Sequence, residues 1–291
     1  MTTAEFAVIG GSGLYALEEG FIKLEEVDID TPFGKPSDRI VIGEIAGKRV
    51  AFLPRHGVGH RISPTELPVR ANIWALKSLG VRKVLSVSAV GSLREEIAPL
   101  HLVVPDQIID RTKSRVNSFF EDGIVVHAAF ADPFCAELSA IVAACAEETG
   151  ATVHRGGTLI VMEGPLFSTR AESELYRSWG AHIIGMTALP EAKLAREAEL
   201  CYATLACATD YDVWHPHHDD VTIDMVIQNL LRNTATAQAI IKSVVARIDM
   251  KRDCKCERAL EFAIITDRRY ITPEHRRKYG LLIDKYLDKS T

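Results

Sequence analysis

Four stretches of this chain release small or polar residues directly after a short apolar run. They are Gly10-Gly11-Ser12-Gly13, Arg55-His56, Ser88-Ala89-Val90-Gly91 and Gly185-Met186-Thr187. Together they offer a guanidinium, an imidazole, three hydroxyls and unhindered backbone N–H groups. A tetrahedral oxyanion needs that donor set: a fork for two oxygens and neutral donors for the rest. Singly, each stretch has a plainer reading. The glycine loop is a tight turn; it lacks both the G-x-G-x-x-G spacing and the Walker lysine, so it supports neither a dinucleotide nor an ATP site. An Arg-His pair after a strand is most often a surface pair. The coincidence of four such loops is what points to an anion.

A second group is acidic. Ala208-Thr209-Asp210-Tyr211-Asp212 sets two carboxylates at i and i+2 after another apolar run. Purine chemistry uses such a pair, because adenine leaves poorly unless N7 is protonated or hydrogen-bonded, and its exocyclic amine is a donor. The plain alternative is an Asx turn capping the next helix. The run His215-Pro216-His217-His218-Asp219-Asp220 gathers metal-ligating types. Its spacing is too tight for a tetrahedral site, whose ligands usually come from separate elements, so it reads as a loop and no metal is expected there.

These loops must be held by elements, and the hydrophobic periodicity supplies them. Strands are expected at Phe6–Ile9, Arg49–Leu53, Lys83–Val90, Leu102–Ile109, from Thr158, at His182–Gly185 and at Tyr202–Thr209. Helices are expected at Leu67–Leu79, Pro133–Thr149, after Ser168, at Glu191–Ala198 and from Ile223 to about Ile248. The last carries Val226, Leu230, Ala237, Ile241, Val244 and Ile248 near one face. Alternating strands and helices imply an α/β fold, a single domain with a central mixed β-sheet flanked by helices. In such sheets the carboxyl ends of the strands form the ligand crevice, which is where the four loops fall. No repeat or linker divides the chain. Residues 1–249 are read as the domain, and residues 250–291 as a helical C-terminal extension packed on it.

Composition narrows the function. The 291 residues are 47% hydrophobic and 25% charged, ordinary for a globular protein long enough to need no staple. A formal net charge of -5 argues against nucleic acid, which demands a basic face. No apolar run approaches the ~20 residues of a membrane span, and the N-terminus lacks signal-peptide character. Six cysteines in this length do not form a disulfide framework, so a cytoplasmic location is expected. Cys254 and Cys256, two apart, are not expected both to sit comfortably in a buried core.

In their order along the chain these segments resemble the purine-nucleoside phosphorylase superfamily, within it the methylthioadenosine branch, from about Phe6 to Arg247. The resemblance rests on Ile9 to Leu14, Pro54-Arg55-His56-Gly57, Arg70 to Leu76, Ser88 to Glu96, Glu163-Gly164-Pro165, Phe167 to Ser173, Met186-Thr187 with Pro190-Glu191, and Thr209 to Asp212. The tail looks like that of archaeal and some bacterial members with a C-terminal Cys-x-Cys. Similar tails form disulfides; two free thiols are the alternative.

The resemblance implies phosphorolysis of 5'-methylthioadenosine to adenine and 5-methylthioribose 1-phosphate, with inorganic phosphate as co-substrate and no metal or organic cofactor. It implies that Ser12, Arg55, His56, Ser88, the Ala89 backbone and Thr187 hold phosphate. Met186 packs under the ribose, and Phe167 and Ser168 line the base pocket. Asp210 acts on N7 and the amine, Asp212 fixes the amine, and Tyr211 between them is a further substrate-binding residue. Ile223 and Val226 line the 5'-pocket, completed by His127 of a neighbouring subunit in a homotrimer or homohexamer. Ser12 and Ser88 stand where vertebrate members have threonine, and Gly185 where they have asparagine. Members acting on 6-oxopurines resemble this chain but carry asparagine at Asp210 and histidine at Val226. An ionised carboxylate repels O6, and an apolar valine suits a buried methylthio group better than a hydroxyl. The rivals are a hydrolytic nucleosidase of the same fold, a broader adenosine phosphorylase, and a nucleoside-binding sensor without turnover.

Overall fold

The computed structural model describes residues 3–11, 14, 20–215, 223–249, 251 and 254–287, apart from the side chains of Ile223, Met225, Val226 and Leu230. Strands β1 (Phe6–Gly10), β2 (Ile22–Val27), β3 (Ile40–Ile45), β4 (Lys48–Pro54) and β5 (Lys83–Ser92) come first, with helix α1 (Val69–Ser78) between the last two. Next are β6 (Leu102–Val104), β7 (Gln107–Arg111), α2 (Ala136–Glu147), β8 (Val153–Arg155), β9 (Thr158–Met162) and α3 (Arg170–Ser178). The chain continues through β10 (Ile183–Gly185), α4 (Ala188–Glu197), β11 (Cys201–Asp210), α5 (Ile223–Arg247) and α6 (Pro273–Leu287).

The eleven strands among the described residues join one mixed sheet, in the order β2-β3-β4-β1-β5-β10-β9-β7, with β11 and β6 branching from β5 and β8 beyond them. The expected mixed sheet with flanking helices is therefore present. Period-2 alternation decides which helix covers which face. Ala7, Ile9, Ala51 and Leu53 pack on one side with Ile73 of α1, Leu194 of α4 and Ile283 of α6. Phe6, Val8, Val50 and Phe52 face the other way, against Val142 of α2 and Ile241 and Val244 of α5. With both faces covered, β11 is buried at every position, the condition under which a strand reads as a continuous apolar run.

The branch at β5 creates the crevice. Residues Phe6 to Ile9 of β1 pair with Lys83 to Ser86 in parallel, but further along β5 the neighbour changes. There Ile184 and Ile183 of β10 pair antiparallel with Gly91 and Ser92. On its other side β5 keeps β11 throughout, with a bulge at Thr209 so that Ala208 faces Val90 and Asp210 faces Gly91. Where β1 and β5 part, the sheet opens.

Four expectations change. The strand expected at Leu102–Ile109 is two strands, β6 and β7, in different parts of the sheet. Pro105, with no N–H to give a ladder, ends the first of them. The helix expected at Glu191–Ala198 runs Ala188–Glu197, yet Leu189 is extended (φ -119, ψ 137), so its regular turns begin at Pro190, a residue pre-set for that position. Strands β2, β3 and the three-residue β8 are not foretold by the sequence. β2 is an exposed edge carrying Lys23, Glu25 and Glu26, whose charges protect the edge and hide the strand. The tail is less helical than expected. It begins with short 3-10 turns at Lys255–Arg258 and Arg268–Tyr270, adds a β-bridge from Ile264 to Val126, and becomes α-helix at α6. Leu260, Ala263, Tyr279, Leu282, Ile283 and Tyr286 of the tail enter the same core as α1 and α4.

Candidate active site

Arg55 and His56 follow the last residue of β4. The Arg55 N–H donates to the Gly10 carbonyl (2.9 Å), which ties the ends of β4 and β1 together. The guanidinium then turns inward under β5 and is 2% exposed. Nε donates to Glu191 Oε1 (2.5 Å), Nη1 to the Val87 carbonyl (3.0 Å) and Nη2 to Ser86 Oγ (2.6 Å). Glu191, in the first regular turn of α4, also accepts from Ser86 Oγ (3.1 Å) and Tyr202 Oη (2.9 Å). Burial works against the Arg55 charge, but the Glu191 carboxylate outweighs it and holds the group above the usual guanidinium range. The sequence alone gives Glu191 no role; its carboxylate fixes the guanidinium against Ser86 and Val87 of β5.

His56 is also buried, with its ring stacked on His60 at 4.2 Å between centroids. Nδ1 lies 2.9 Å from the Ile62 carbonyl, which can only accept, so the proton sits on Nδ1 in the neutral ring. Burial, then the charges of Arg55 and His60, push the imidazole down to about 4. Ser88 Oγ of β5 and Thr187 Oγ1, just beyond β10, meet at 3.2 Å. Thr187 precedes α4 without capping it, so its hydroxyl faces Ser88 instead of a helix N–H. Ala89 follows in β5, opposite Cys207. Ser12 and Gly13 lie outside the described residues.

The acidic pair stands one strand over. The bulge at Thr209 aims Asp210 at Gly91, where any β-carbon would stand 2.9 Å from Asp210 Oδ1; only glycine leaves the carboxylate room. Oδ1 accepts from the Asp212 N–H (2.8 Å) and Oδ2 from Thr209 Oγ1 (2.7 Å), so the Asx turn of the plain reading is present. The carboxylate is nonetheless buried, and burial raises it above the usual range, with the Asp212 charge adding to the effect. Asp212 sits at φ +52 in the left-handed region; its buried Oδ2 makes no well-formed hydrogen bond among the described residues, and the hydroxyls of Ser173 and Ser168 stand close to the carboxylate. An acceptor placed in that way suits an N–H donor from a ligand. Ser168 is buried near the Asp212 carboxylate, and Phe167, next to it in sequence, is 43% exposed. Asn229 Nδ2 of α5 donates to the Thr209 carbonyl (2.7 Å), which docks the start of that helix beside Asp210. Ile223 and Val226 occupy its first turn; their side chains lie outside the described residues.

Arg115 is a residue that no sequence signal exposed. Its guanidinium donates through Nη1 to the carbonyls of Met186 (2.5 Å) and Leu189 (2.6 Å), and through Nη2 to the carbonyl of Glu163. Glu163 returns an ion pair and accepts from Thr65 Oγ1 (2.6 Å) and the Lys113 N–H, and these bonds overcome burial to hold it down to about 2. Gly164, at φ +69, lets Met186 Sδ come within 2.6 Å of where a β-carbon would be. Met186 is thus fixed from both sides. Tyr211 and His127 make contacts of a different kind. Tyr211 spends its hydroxyl on the Glu95 carbonyl (3.2 Å) and stacks on His215. His127 is exposed, its N–H bonded to the Ala263 carbonyl of the tail (2.8 Å).

A buried cation, a neutral imidazole and two hydroxyls at the fork of a mixed sheet, with a carboxylate pair one strand away, define a site for an anion and a nitrogenous ring together. The chain belongs to the phosphorylase superfamily, which residues 5–246 match. Its relatives narrow the type. An S-methyl-5'-thioadenosine phosphorylase of Geobacter sulfurreducens is 57% identical, covering 96% of this chain and 98% of its own. One from Chloroflexus aurantiacus is 56% identical over 98% and 99%. Among solved structures, a methylthioadenosine phosphorylase from an antarctic soil metagenomic library superposes with a TM-score of 0.93 at 48% identity, over 97% and 100% of the two chains. The Schistosoma mansoni enzyme in complex with adenine gives 0.83 at 35% identity, over 89% and 96%. No helix among the described residues is long and apolar enough to cross a membrane.

Proposed function

We propose that this chain cleaves 5'-methylthioadenosine with inorganic phosphate, giving adenine and 5-methylthioribose 1-phosphate. The observation that carries the reading is the Asp210–Asp212 pair, both carboxyls raised by burial, one strand from the Arg55–His56–Ser88–Thr187 cluster. Phosphate is held by the hydroxyls of Ser12, Ser88 and Thr187, the Ala89 N–H and His56, with Arg55 supplying the buried positive charge. The neutral His56 ring, donating through Nδ1 to Ile62, has Nε2 as acceptor for the hydrogen of a phosphate P–OH. A phosphate oxygen attacks C1' as the bond to N9 breaks through an oxocarbenium-like transition state. Phosphate takes the place of the carboxylate nucleophile that retaining glycosidases use. Asp210, its carboxyl raised by burial, gives a proton to N7, and the electron pair of the broken bond leaves with adenine. Asp212 Oδ2 accepts from the exocyclic amine. Met186, held by Arg115 and Gly164, supports the ribose. The protein's contribution is orientation and charge, with no group beyond phosphate needed.

The 5'-pocket is finished by a second copy in this reading. His127 is exposed on a loop bridged to the tail, and Val125, Phe262 and Ile265 around it are exposed apolar side chains. A patch of that kind marks a contact face, and cyclic closure into a trimer or a pair of trimers lets each chain both give and receive a His127. The free thiols suit a reducing cytoplasm.

Adenine release from methylthioadenosine, followed with and without phosphate, tests the reaction. Release should depend on phosphate and yield the sugar phosphate. Equal release in phosphate-free buffer overturns phosphorolysis in favour of hydrolysis. Equal kcat/KM on adenosine, which a solved relative's name also includes, overturns the preference for the methylthio group.

A further inference from the structure

The cysteines converge at the end of β11 opposite the active site. Cys201 opens β11, Cys135 immediately precedes α2, and Cys254 and Cys256 lie at the start of the tail. Their four Sγ atoms all lie within 4.8 Å of one another, and three of the four residues are buried. As the sequence led us to expect, Cys254 and Cys256 are not both buried: Cys256 is 5% exposed, and Cys254, half-buried, packs against the same core cluster. Independent backbone contacts hold the group in place. The Cys135 N–H donates to the Tyr202 carbonyl (2.8 Å) and the Cys201 N–H to the Arg82 carbonyl (2.9 Å). Lys83 Nζ binds the Asp249 carbonyl (2.6 Å) and so fixes the chain that leads into Cys254.

We propose that these four cysteines bind a structural zinc ion that staples the tail to the sheet. Four thiolates about 2.3 Å from a tetrahedral zinc stand about 3.8 Å from one another, within the spread found here. The Cys201–Cys254 separation of 3.3 Å is far longer than a disulfide, and all six cysteines are free. Pairwise bonding would in any case not require all four sulfurs to share one centre. The ligands come from three separate parts of the chain, as in structural zinc sites with supporting contacts behind them. Binding replaces four S–H protons with one divalent cation and releases them to solvent, leaving a net charge of -2. Cys135 lies at the positive N-terminal end of α2, which favours thiolate there. Strand β11 separates this centre from Asp210 by about 30 Å, so the ion takes no part in the reaction. The zinc proposal is independent of the nucleoside chemistry.

The test begins with the whole protein purified without chelator under reducing conditions and analysed for metals. One zinc per chain is expected, released in step with titration of four thiols by an organomercurial. Cobalt loaded into the stripped protein should give the visible bands of a tetrathiolate, which neither free thiols nor disulfides produce. Cys256→Ser should abolish stoichiometric zinc and lower the unfolding temperature, whereas Cys145→Ser and Cys207→Ser, outside the group, should retain it. Because the cobalt spectrum is read on the unmodified chain, misfolding of a variant does not decide the matter. Disulfides among these four cysteines, iron in place of zinc, or no metal together with no tetrathiolate cobalt spectrum would each overturn the proposal.

Discussion

Asp210 is where one residue carries the most chemistry. Its two oxygens already accept from Thr209 and Asp212, which a turn cap also does, so geometry alone does not separate the roles. Asp210→Asn does. The amide keeps the turn but has no acidic proton for N7, so activity on methylthioadenosine should fall roughly 10²–10⁴-fold. Relative activity on inosine-type substrates should rise, since an amide can donate to O6. Unchanged rates and unchanged adenine preference would leave Asp210 a cap. Arg55→Ala carries two losses. Phosphate KM should rise steeply, and Glu191 is left buried without its cation, which costs about 3–5 kcal/mol of stability. Assayed below its lowered melting point, a folded variant with the native phosphate KM would remove Arg55 from the phosphate site. His56 sets a pH dependence. Held down to about 4 when folded against 6.5 when free, it refuses a proton that the unfolded chain accepts between those values. Its contribution to stability is intact above pH 6.5 and declines on acidification toward 4, by at most ~3 kcal/mol. His56→Gln should flatten that limb of a melting-temperature profile; an unaltered limb would assign it to other groups.

Among the elements, the loops after β9 and β10 depend on a side chain from a third segment. Arg115 reaches the carbonyls of Glu163, Met186 and Leu189 with one planar fork. Lysine is no substitute there, because a single ammonium cannot keep both the geometry and the Glu163 pair. Arg115→Lys should raise the nucleoside KM about tenfold or more while phosphate KM stays near native, since Met186 loosens under the ribose but the Arg55 cluster is untouched. Equal changes in both constants would point to a general loss of structure instead of a loosened sugar site. The bulge at Thr209 is the other local device. It shows as an offset in the pairing of β11 with β5 and leaves no mark in the apolar run that foretold the strand.

For the whole molecule, the question is whether one chain makes a complete site. His127 is exposed beside Val125, Phe262 and Ile265, which favours an interface at that loop. Chains carrying His127→Ala and chains carrying Asp210→Asn should each be weak alone. Mixed and reassembled, they should regain activity, because a site that takes Asp210 from one and His127 from the other is intact. No recovery in verified mixed oligomers, or a fully active monomer in sedimentation, would sink the shared site.

The sequence by itself determined the sheet's central strands, the helix faces and the loops that carry Arg55, His56, Ser88, Thr187 and Asp210. Burial writes those features locally: a strand covered on both faces must be apolar along its length, and a strand end that meets a ligand must turn polar. Ala237, Ile241 and Val244 of α5, and Ile248 just past its end, are buried as their spacing required. The edge strand β2 escaped notice because its exposed residues are chosen for charge. Only the tertiary structure decided what depends on partners distant in sequence. The ion pair of Arg55 with Glu191, the reach of Arg115 across two loops, the fork where β5 exchanges β1 for β10, and the convergence of Cys135 and Cys201 with Cys254 and Cys256 all join segments tens of residues apart. Each such contact draws its strength from a buried, water-poor setting that no local stretch encodes.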